Sequence, residues 1–277
     1  MSKSSLILCF FILYSSFACG QSLDSLSDLI HSIQKGNNDS IRLTSNKKFF
    51  QEFEKILLQK ESFSRNFDSL KNVSVLASDD NKLKVYTWVV PHYDGLFYDY
   101  FGFIQIHLDT SNILIRLIDS TAVIRKPDSE KLNPERWLGA VYYGLIPIKK
   151  SGKTYYTLLG WKGKNQELTQ KIIEVLYFSG NQIKFGYPLI KTGTIFRNRM
   201  LFTYSALISM TLNYNNKSNG IVFDHFSTNK NNPTQLPGPD GTYDILKNKK
   251  GRWRLFTNVD VGIKWEPAPP HPIPHQE

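Results

Sequence analysis

Residues 153–186, KTYYTLLGWKGKNQELTQKIIEVLYFSGNQIKFG, decide the fold class. An apolar run, Tyr155 to Trp161, gives way to a polar stretch, Lys162 to Leu168. A second run, Ile172 to Phe178, ends at Ser179-Gly180-Asn181, and a third starts at Ile183. The runs are short, rich in β-branched and aromatic residues, and punctuated by Gly and Asn. That pattern reads as an antiparallel meander.

The same grammar extends in both directions. Val73–Ala77 and Leu83–Val90 flank a turn at Ser78-Asp79-Asp80-Asn81. In Tyr100–Leu108, Ile104, Ile106 and Leu108 alternate with Phe103, Gln105 and His107, and Ile113–Ile118 follows as a hairpin partner. Glu130–Trp137 is a candidate for a short helix, limited by Pro134. Leu138–Ile148, Met200–Ala206, Ser209–Tyr214 and Ile221–Phe226 continue the strands, and Ser227–Gly241 reads as a long loop. Tyr243–Leu246 and Arg252–Phe256 make a last hairpin.

Helical spacing is confined to the start. Leu26, Leu29, Ile30 and Ile33 share a face in Ser25–Gln34, and Gly36-Asn37-Asn38 ends that segment. Phe49, Phe53, Ile56 and Leu57 do the same from about Asn46 to Lys60. The expected fold is mainly β: an antiparallel multi-stranded meander, of sandwich or open-barrel type, with a short N-terminal helical preface. Strand content should exceed helix by at least about two to one, against base rates that favour helix. The expected organisation is a signal peptide over 1–20, the helical preface over 21–66, one β domain over 67–265 and a Pro-rich flexible tail over 266–277. A weak break at Asp128–Asn133 does not have linker composition, so one domain is expected.

With 277 residues and 41% hydrophobic content the chain can bury a sizeable core and is not disordered. The formal net charge is +10, and removing 1–20, which carries Lys3 and no acidic residue, leaves +9. Basic residues are scattered with no run of five, which argues against nucleic acid as a partner and leaves acidic glycans or lipid headgroups open.

Met1–Gly20 has Lys3, an apolar core from Leu6 to Tyr14, and small residues at Ser15, Ser16 and Ala18. It reads as a secretory signal peptide, too short to span a membrane. Cleavage before Gln21 competes with a lipobox reading of Ser16-Phe17-Ala18-Cys19, in which Cys19 is lipidated. The missing Leu three residues before Cys19 and the bulk of Phe17 favour plain cleavage. Both cysteines, Cys9 and Cys19, lie here, so the mature chain has no disulfide, thiol nucleophile or thiolate metal site.

Several short motifs resemble, in their order, an uncharacterised family of secreted, β-rich envelope proteins of Bacteroidota with no assigned activity. They are Tyr86-Thr87-Trp88, Tyr100-Phe101-Gly102-Phe103, Trp137-Leu138-Gly139-Ala140-Val141-Tyr142-Tyr143, Tyr155 with Thr157-Leu158-Leu159-Gly160-Trp161, and Gly238-Pro239-Asp240-Gly241-Thr242-Tyr243-Asp244. The resemblance covers roughly Lys82 to Trp265 and implies an envelope location, with no catalytic residue to carry over.

Enzyme motifs do not survive inspection. Lys191-Thr192-Gly193 and the upstream Ser45-x-x-Lys48 match fragments of the penicillin-binding pattern, but strands, not helices, fill the span between, so Lys191–Thr194 reads as a turn. Neither a zinc-protease helix motif nor a nucleophile elbow nor a P-loop occurs. No catalytic residue is assigned.

Two binding constellations remain. Pro91–Phe103, PHYDGLFYDYFGF, offers Tyr93, Phe97, Tyr98 and Tyr100 as a ligand surface, aromatic faces with polar tips suiting a glycan or protein partner. The competing reading is a hairpin whose aromatics simply pack. Asp224, His225, Asp240 and Asp244 are candidates for a Ca²⁺ or small polar site if Pro239-Asp240-Gly241 turns the chain back. The competing reading has these aspartates capping turns.

The expected function is an exported envelope protein, in the periplasm, on the outer membrane surface or outside the cell. It would act as a non-enzymatic binding or structural module, with a hydrolase acting on an envelope polymer as the alternative. No transmembrane helix is expected in the mature chain, and membrane anchoring only through a lipidated Cys19. Intact mass of the protein recovered from cells is expected to give a start between Cys19 and Gln21. A start at Met1 would refute the leader, and a diacylated Cys19 would establish the lipoprotein.

Overall fold

Leu158 and Leu159 are adjacent and both buried, yet they enter two different cores. A strand buried on both faces reads as a continuous apolar run, because neither set of alternate positions meets water. That is the origin of the Tyr155–Trp161 pattern. The architecture, a computed structural model, is described over residues 23–108, 111–227 and 238–259. The segments read as signal peptide and Pro-rich tail lie outside the described residues, with Cys19 and most of the Ser227–Gly241 loop.

Three sheets stack, with helices covering one outer side. The first sheet runs β1 (Ser74–Ala77), β2 (Leu83–Pro91), β3 (Tyr98–His107) and β4 (Asn112–Ile118) in sequence order. The middle sheet contains β5 (Val141–Lys150), β6 (Lys153–Gly163) and β7 (Leu168–Ser179), with β8 (Gln182–Phe185) and β11 (Arg199–Ser205) also on β7. The third sheet uses β9 (Ile190–Thr192), β10 (Ile195–Arg197), β12 (Leu212–Asn215), β13 (Gly220–Ser227), β14 (Gly238–Asn248) and β15 (Trp253–Val259). Its order is β10-β9-β15-β14-β13-β12. All named strand pairs are antiparallel except β15 with β9. The described residues are 51% strand and 18% helix, so the expected mainly-β antiparallel fold with helices near the N-terminus is observed.

Each interface is a separate core. Helix α1 (residues 23–35) and helix α2 (Asp39–Leu57) press Leu26, Ile30, Phe49 and Phe53 against Tyr86, Trp88 and Phe103. Asn38 caps α2, accepting from the Ile41 amide at 2.9 Å, so the helix starts seven residues before the expected Asn46. Val85, Val89 and Ile104 of the first sheet meet Leu158, Ile172 and Leu176 of the middle one. Leu159, Ile173 and Val175 on the opposite face meet Ile221, Phe223, Leu246 and Trp253 of the third.

Other expectations are corrected. Glu130–Trp137 is not a helix: Asn133 bridges Arg136, Leu132 bridges Phe185 and Trp137 bridges Asp119. These extended pairings satisfy backbone groups that Pro134 would leave open in a helix. Pro239-Asp240-Gly241 does not reverse the chain. It lies within β14, where register slips from Asp224↔Tyr243 to Phe226↔Pro239 and Gly241 takes φ +89°, a bulge rather than a turn. Of Lys191–Thr194, the first two residues end β9, and Gly193 and Thr194 make the turn into β10.

One ion pair is enclosed by the stack. Glu174 on β7 lies opposite Arg199 on β11, both fully buried, with Arg199 Nε 2.7 Å from Glu174 Oε2. Arg199 also donates to the carbonyls of Pro127 and Glu130, fastening the 125–137 connection between the first two sheets. Burial raises the Glu174 pKa despite the attraction of Arg199. Breaking one side of such a pair strands a buried charge. Glu174→Gln is expected to cost about 3 kcal/mol in urea unfolding, and the double change Glu174→Leu with Arg199→Met distinctly less. A cost for Glu174→Gln below about 1 kcal/mol would count against the pair as a structural fastener.

Candidate functional site

The β2–β3 hairpin closes through His92–Phe97, between the register pair Pro91↔Tyr98. The His92 amide donates to the Phe97 carbonyl and the Gly95 amide to the His92 carbonyl, each at 2.9 Å. Gly95 takes φ +69°, which side chains disfavour. The Leu96 amide donates to Asp94 Oδ1 at 2.8 Å, an Asx contact that tightens the bend.

Two other elements hold this tip. From the start of α2, Asp39 Oδ1 accepts from the Tyr93 amide at 2.6 Å, and Arg42 Nη1 donates to the Pro91 carbonyl at 2.9 Å. From the β6–β7 turn, Gln166 Nε2 donates to the Asp94 carbonyl at 2.5 Å. His92 Nε2 lies 2.9 Å from Asp99 Oδ2, and its Nδ1 3.8 Å from Asp39 Oδ2. The turn is therefore fixed at its backbone from both sides.

Its large apolar side chains nevertheless stay in water. Tyr93 is 57% exposed, Leu96 42% and Phe97 61%. The Arg42 guanidinium sits 5.5 Å from the Tyr93 ring centroid, and the His92 ring meets Phe97 edge-on. Of the four aromatics read from sequence, Tyr93 and Phe97 are thus presented. Tyr98 is half-buried, edge-on to Trp161 at 5.6 Å, in a space that a Cβ on Gly163 would invade. Tyr100 is buried and donates to the Gly163 carbonyl at 3.0 Å. These two support the hairpin.

Lys162, expected in a polar loop, belongs to β6 and is buried beside Tyr100. Its Nζ lies 4.4 Å from the Tyr100 ring centroid and donates to Thr121 Oγ1 and the Gly139 carbonyl, each at 2.7 Å. Asp119 Oδ1 accepts from the Thr121 hydroxyl and from the amides of Thr121 and Gly139. A hydroxyl between a lysine and a carboxylate has the makings of a nucleophile and base. Here the three ammonium directions are taken by a hydroxyl, a carbonyl and an aromatic face, so Lys162 ties β6 to the connections around Thr121 and Gly139. Burial pushes its pKa down to about 8, against the pull of Asp119.

The residues of the second expected cluster lie on the paired strands β13 and β14, with Asp224 opposite Tyr243 and so next to Asp244, but their side chains take different partners. His225 Nδ1 lies 2.9 Å from Asp244 Oδ1, and Asp244 also accepts from the Asn258 amide. Asp240 is held low chiefly by its hydrogen bonds to Thr242, with His225 close enough to contribute. Asp224 is occupied elsewhere, accepting from the Thr211 amide at 2.7 Å and facing the charge of Lys171. Its pKa is raised by burial. Among the described residues no group of three or more His, Cys, Asp or Glu side chains is arranged to hold a metal ion. Asp240 acts as the Asx reading has it, through Thr242, while Asp244 clamps His225.

Sequence reading missed Asp39, Arg42, Leu96 and Gln166. Leu96 lay inside the quoted aromatic stretch and could have been found there. The other three reach the tip from distant segments and carry no local signal. Comparison with family models, curated proteins and solved structures finds no match.

Lys171 is buried as Lys162 is, its Nζ 5.1 Å from the Tyr143 ring centroid and without a hydrogen-bond partner. Burial lowers its pKa to about 8 as well, with Asp224 opposing. Both lysines thus release their protons more readily folded than unfolded, where the usual value is 10.5. From about pH 8 upward the unfolded chain binds more protons, so stability rises with pH. The rise ends near pH 10, where the buried Tyr100 and Tyr143, held well above their usual value of 10.0, resist ionisation that the unfolded chain undergoes. The urea midpoint is expected to be higher near pH 9.5 than near pH 7.5, and Lys162→Met with Lys171→Met to flatten that difference. A midpoint that falls over this interval would contradict the assignment.

Proposed function

We propose that this protein is an exported, non-enzymatic binding module of the cell envelope, which engages a glycan or protein partner through the His92–Phe97 tip. The observation that carries this reading is the pairing of exposure with rigidity. Three large apolar side chains face solvent on a turn whose backbone is fixed by Asp39, Arg42 and Gln166. Ordering cost is a major debit in binding, and a fixed tip has already met it. Tyr and Phe on such a loop supply contact area at little rotamer cost. Export rests on the leader-like residues 1–20 and on the resemblance drawn from the strand motifs.

The alternative, a hydrolase acting on an envelope polymer, would take Thr121 as its best nucleophile. The commitment of Lys162 to Gly139 and Tyr100 argues for the binding reading instead.

Tyr93→Ala with Phe97→Ala should leave folding nearly unchanged, within about 0.5 kcal/mol apiece, because both side chains are exposed. Binding measured on a glycan array and by pull-down from envelope extract should weaken at least about tenfold, or 1.4 kcal/mol. Unchanged binding in both assays would remove the tip from the function.

A further inference from the structure

The third sheet turns a row of cations away from the core. On β14, β15 and β9, Leu246, Trp253 and Ile190 are buried in the core against the middle sheet. Alternation therefore sends Lys247, Arg254 and Lys191 to the other face. Register places them side by side: Lys247 opposite Arg254, and Arg254 opposite Lys191. Lys191 in turn lies opposite Phe196 on β10. Neighbouring strands are about 4.8 Å apart, so three positive side chains follow one another at that step across the sheet.

Like charges directly opposite destabilise a sheet. Such a row is ordinarily relieved by carboxylates, yet among the described residues none of the three forms an ion pair. Aromatic rings accompany the cations instead. Lys191 Nζ lies 5.6 Å and Arg252 Cζ 5.0 Å from the Phe196 ring centroid, and Lys247 Nζ lies 5.9 Å from that of Phe256. Arg254, Phe196 and Phe256 are exposed.

We infer that this row is a second binding site, for a linear acidic polysaccharide that presents one carboxylate per sugar. The inter-strand step is close to the length of one hexose in an extended chain, and the long Lys and Arg side chains can reach carboxylates that the screw of the chain turns to either side. The charge is complementary, and Arg254 can take a carboxylate bidentately. A nucleic acid fits less well, because Phe196 and Phe256 are both engaged by cations rather than left open for base stacking. The site involves none of the tip residues, so it stands or falls independently of the tip.

The test is titration of the full chain with an oligogalacturonate at several salt concentrations, with a neutral oligoglucan and single-stranded DNA as controls. Oligogalacturonate is expected to bind, with affinity falling steeply as salt rises, and the neutral oligomer not to bind. The triple change Lys191→Gln, Lys247→Gln and Arg254→Gln should weaken binding at least tenfold and flatten the salt dependence. Tyr93→Ala with Phe97→Ala should leave it unchanged. Circular dichroism and the urea midpoint establish that the triple variant is folded. Should that variant not fold, the single change Arg254→Gln replaces it, with a loss of at least threefold expected. No binding of oligogalacturonate, binding that folded variants retain in full, or tighter binding of single-stranded DNA would each overturn the proposal. So would self-association of the chain that the triple change abolishes, since the row would then face a second copy.

Discussion

The middle sheet has no face open to water, and the rest of the structure follows from that constraint. Tyr155–Gly163 of β6 and Lys171–Leu176 of β7 are buried without a break, and their apolar side chains enter one core or the other. Most polar groups caught there find partners in the protein, because burying them unmet costs on the order of kcal/mol each; among the described residues of this sheet, Lys171 Nζ, Trp161 Nε1 and Arg199 Nη2 are the exceptions. Glu174 and Arg199 meet each other, and Arg199 reaches two carbonyls of the 125–137 connection. Thr157 Oγ1 accepts from Trp253 Nε1 at 2.9 Å, joining the middle sheet to the third. Lys162 meets Thr121, Gly139 and the Tyr100 face. The buried polar atoms that are partnered are therefore joints between layers, and the apolar ones fill the space between joints.

The first sheet is enclosed as well, by helices on one side and the middle sheet on the other. Its polar joints have the same form: Trp88 Nε1 donates to Asn46 Oδ1, and Gln105 Nε2 to the carbonyl of Leu57 at the end of α2. Thr87 Oγ1 accepts from the Tyr142 amide where β5 is bulged, so the irregular part of one sheet is satisfied by its neighbour. With both faces of two sheets occupied, a partner has to be met at turns, at edges or on the outer side of the third sheet. The aromatic tip is a turn of the first sheet, and the cation row lies on that outer side.

This explains which features were legible in the sequence. Continuous apolar runs bounded by Gly and Asn revealed strands, because double burial writes itself into every residue of the run. The helical preface was legible from the spacing of Phe49, Phe53, Ile56 and Leu57. Its start was not, since Asn38 caps α2 from within a Gly-Asn-Asn sequence that also ends α1. Lys162 and Lys171 were unreadable as buried residues: a lysine beside an apolar run ordinarily marks its end, and the partners that enclose these two come from remote segments. Pro-Asp-Gly was misread because the same residues suit a turn and a bulge. The choice between them depends on whether β13 is present alongside, which is long-range information.

The tip shows the same division between local and distant information. The aromatic density of residues 91–103 was plain, and half of it packs, as the bland reading had it. Strand alternation alone cannot separate Tyr93 and Phe97 from Tyr98 and Tyr100, because what divides them is where the hairpin ends. Tyr98 forms the last register pair with Pro91, and from there on Trp161 and Lys162 of the middle sheet receive the side chains. Beyond that pair no sheet remains to pack against. Apolar side chains placed there stay wet unless the turn folds back over its own hairpin. Asp39, Arg42 and Gln166 hold the backbone of the turn and its flank outward, so that collapse is blocked by the same contacts that make the surface rigid.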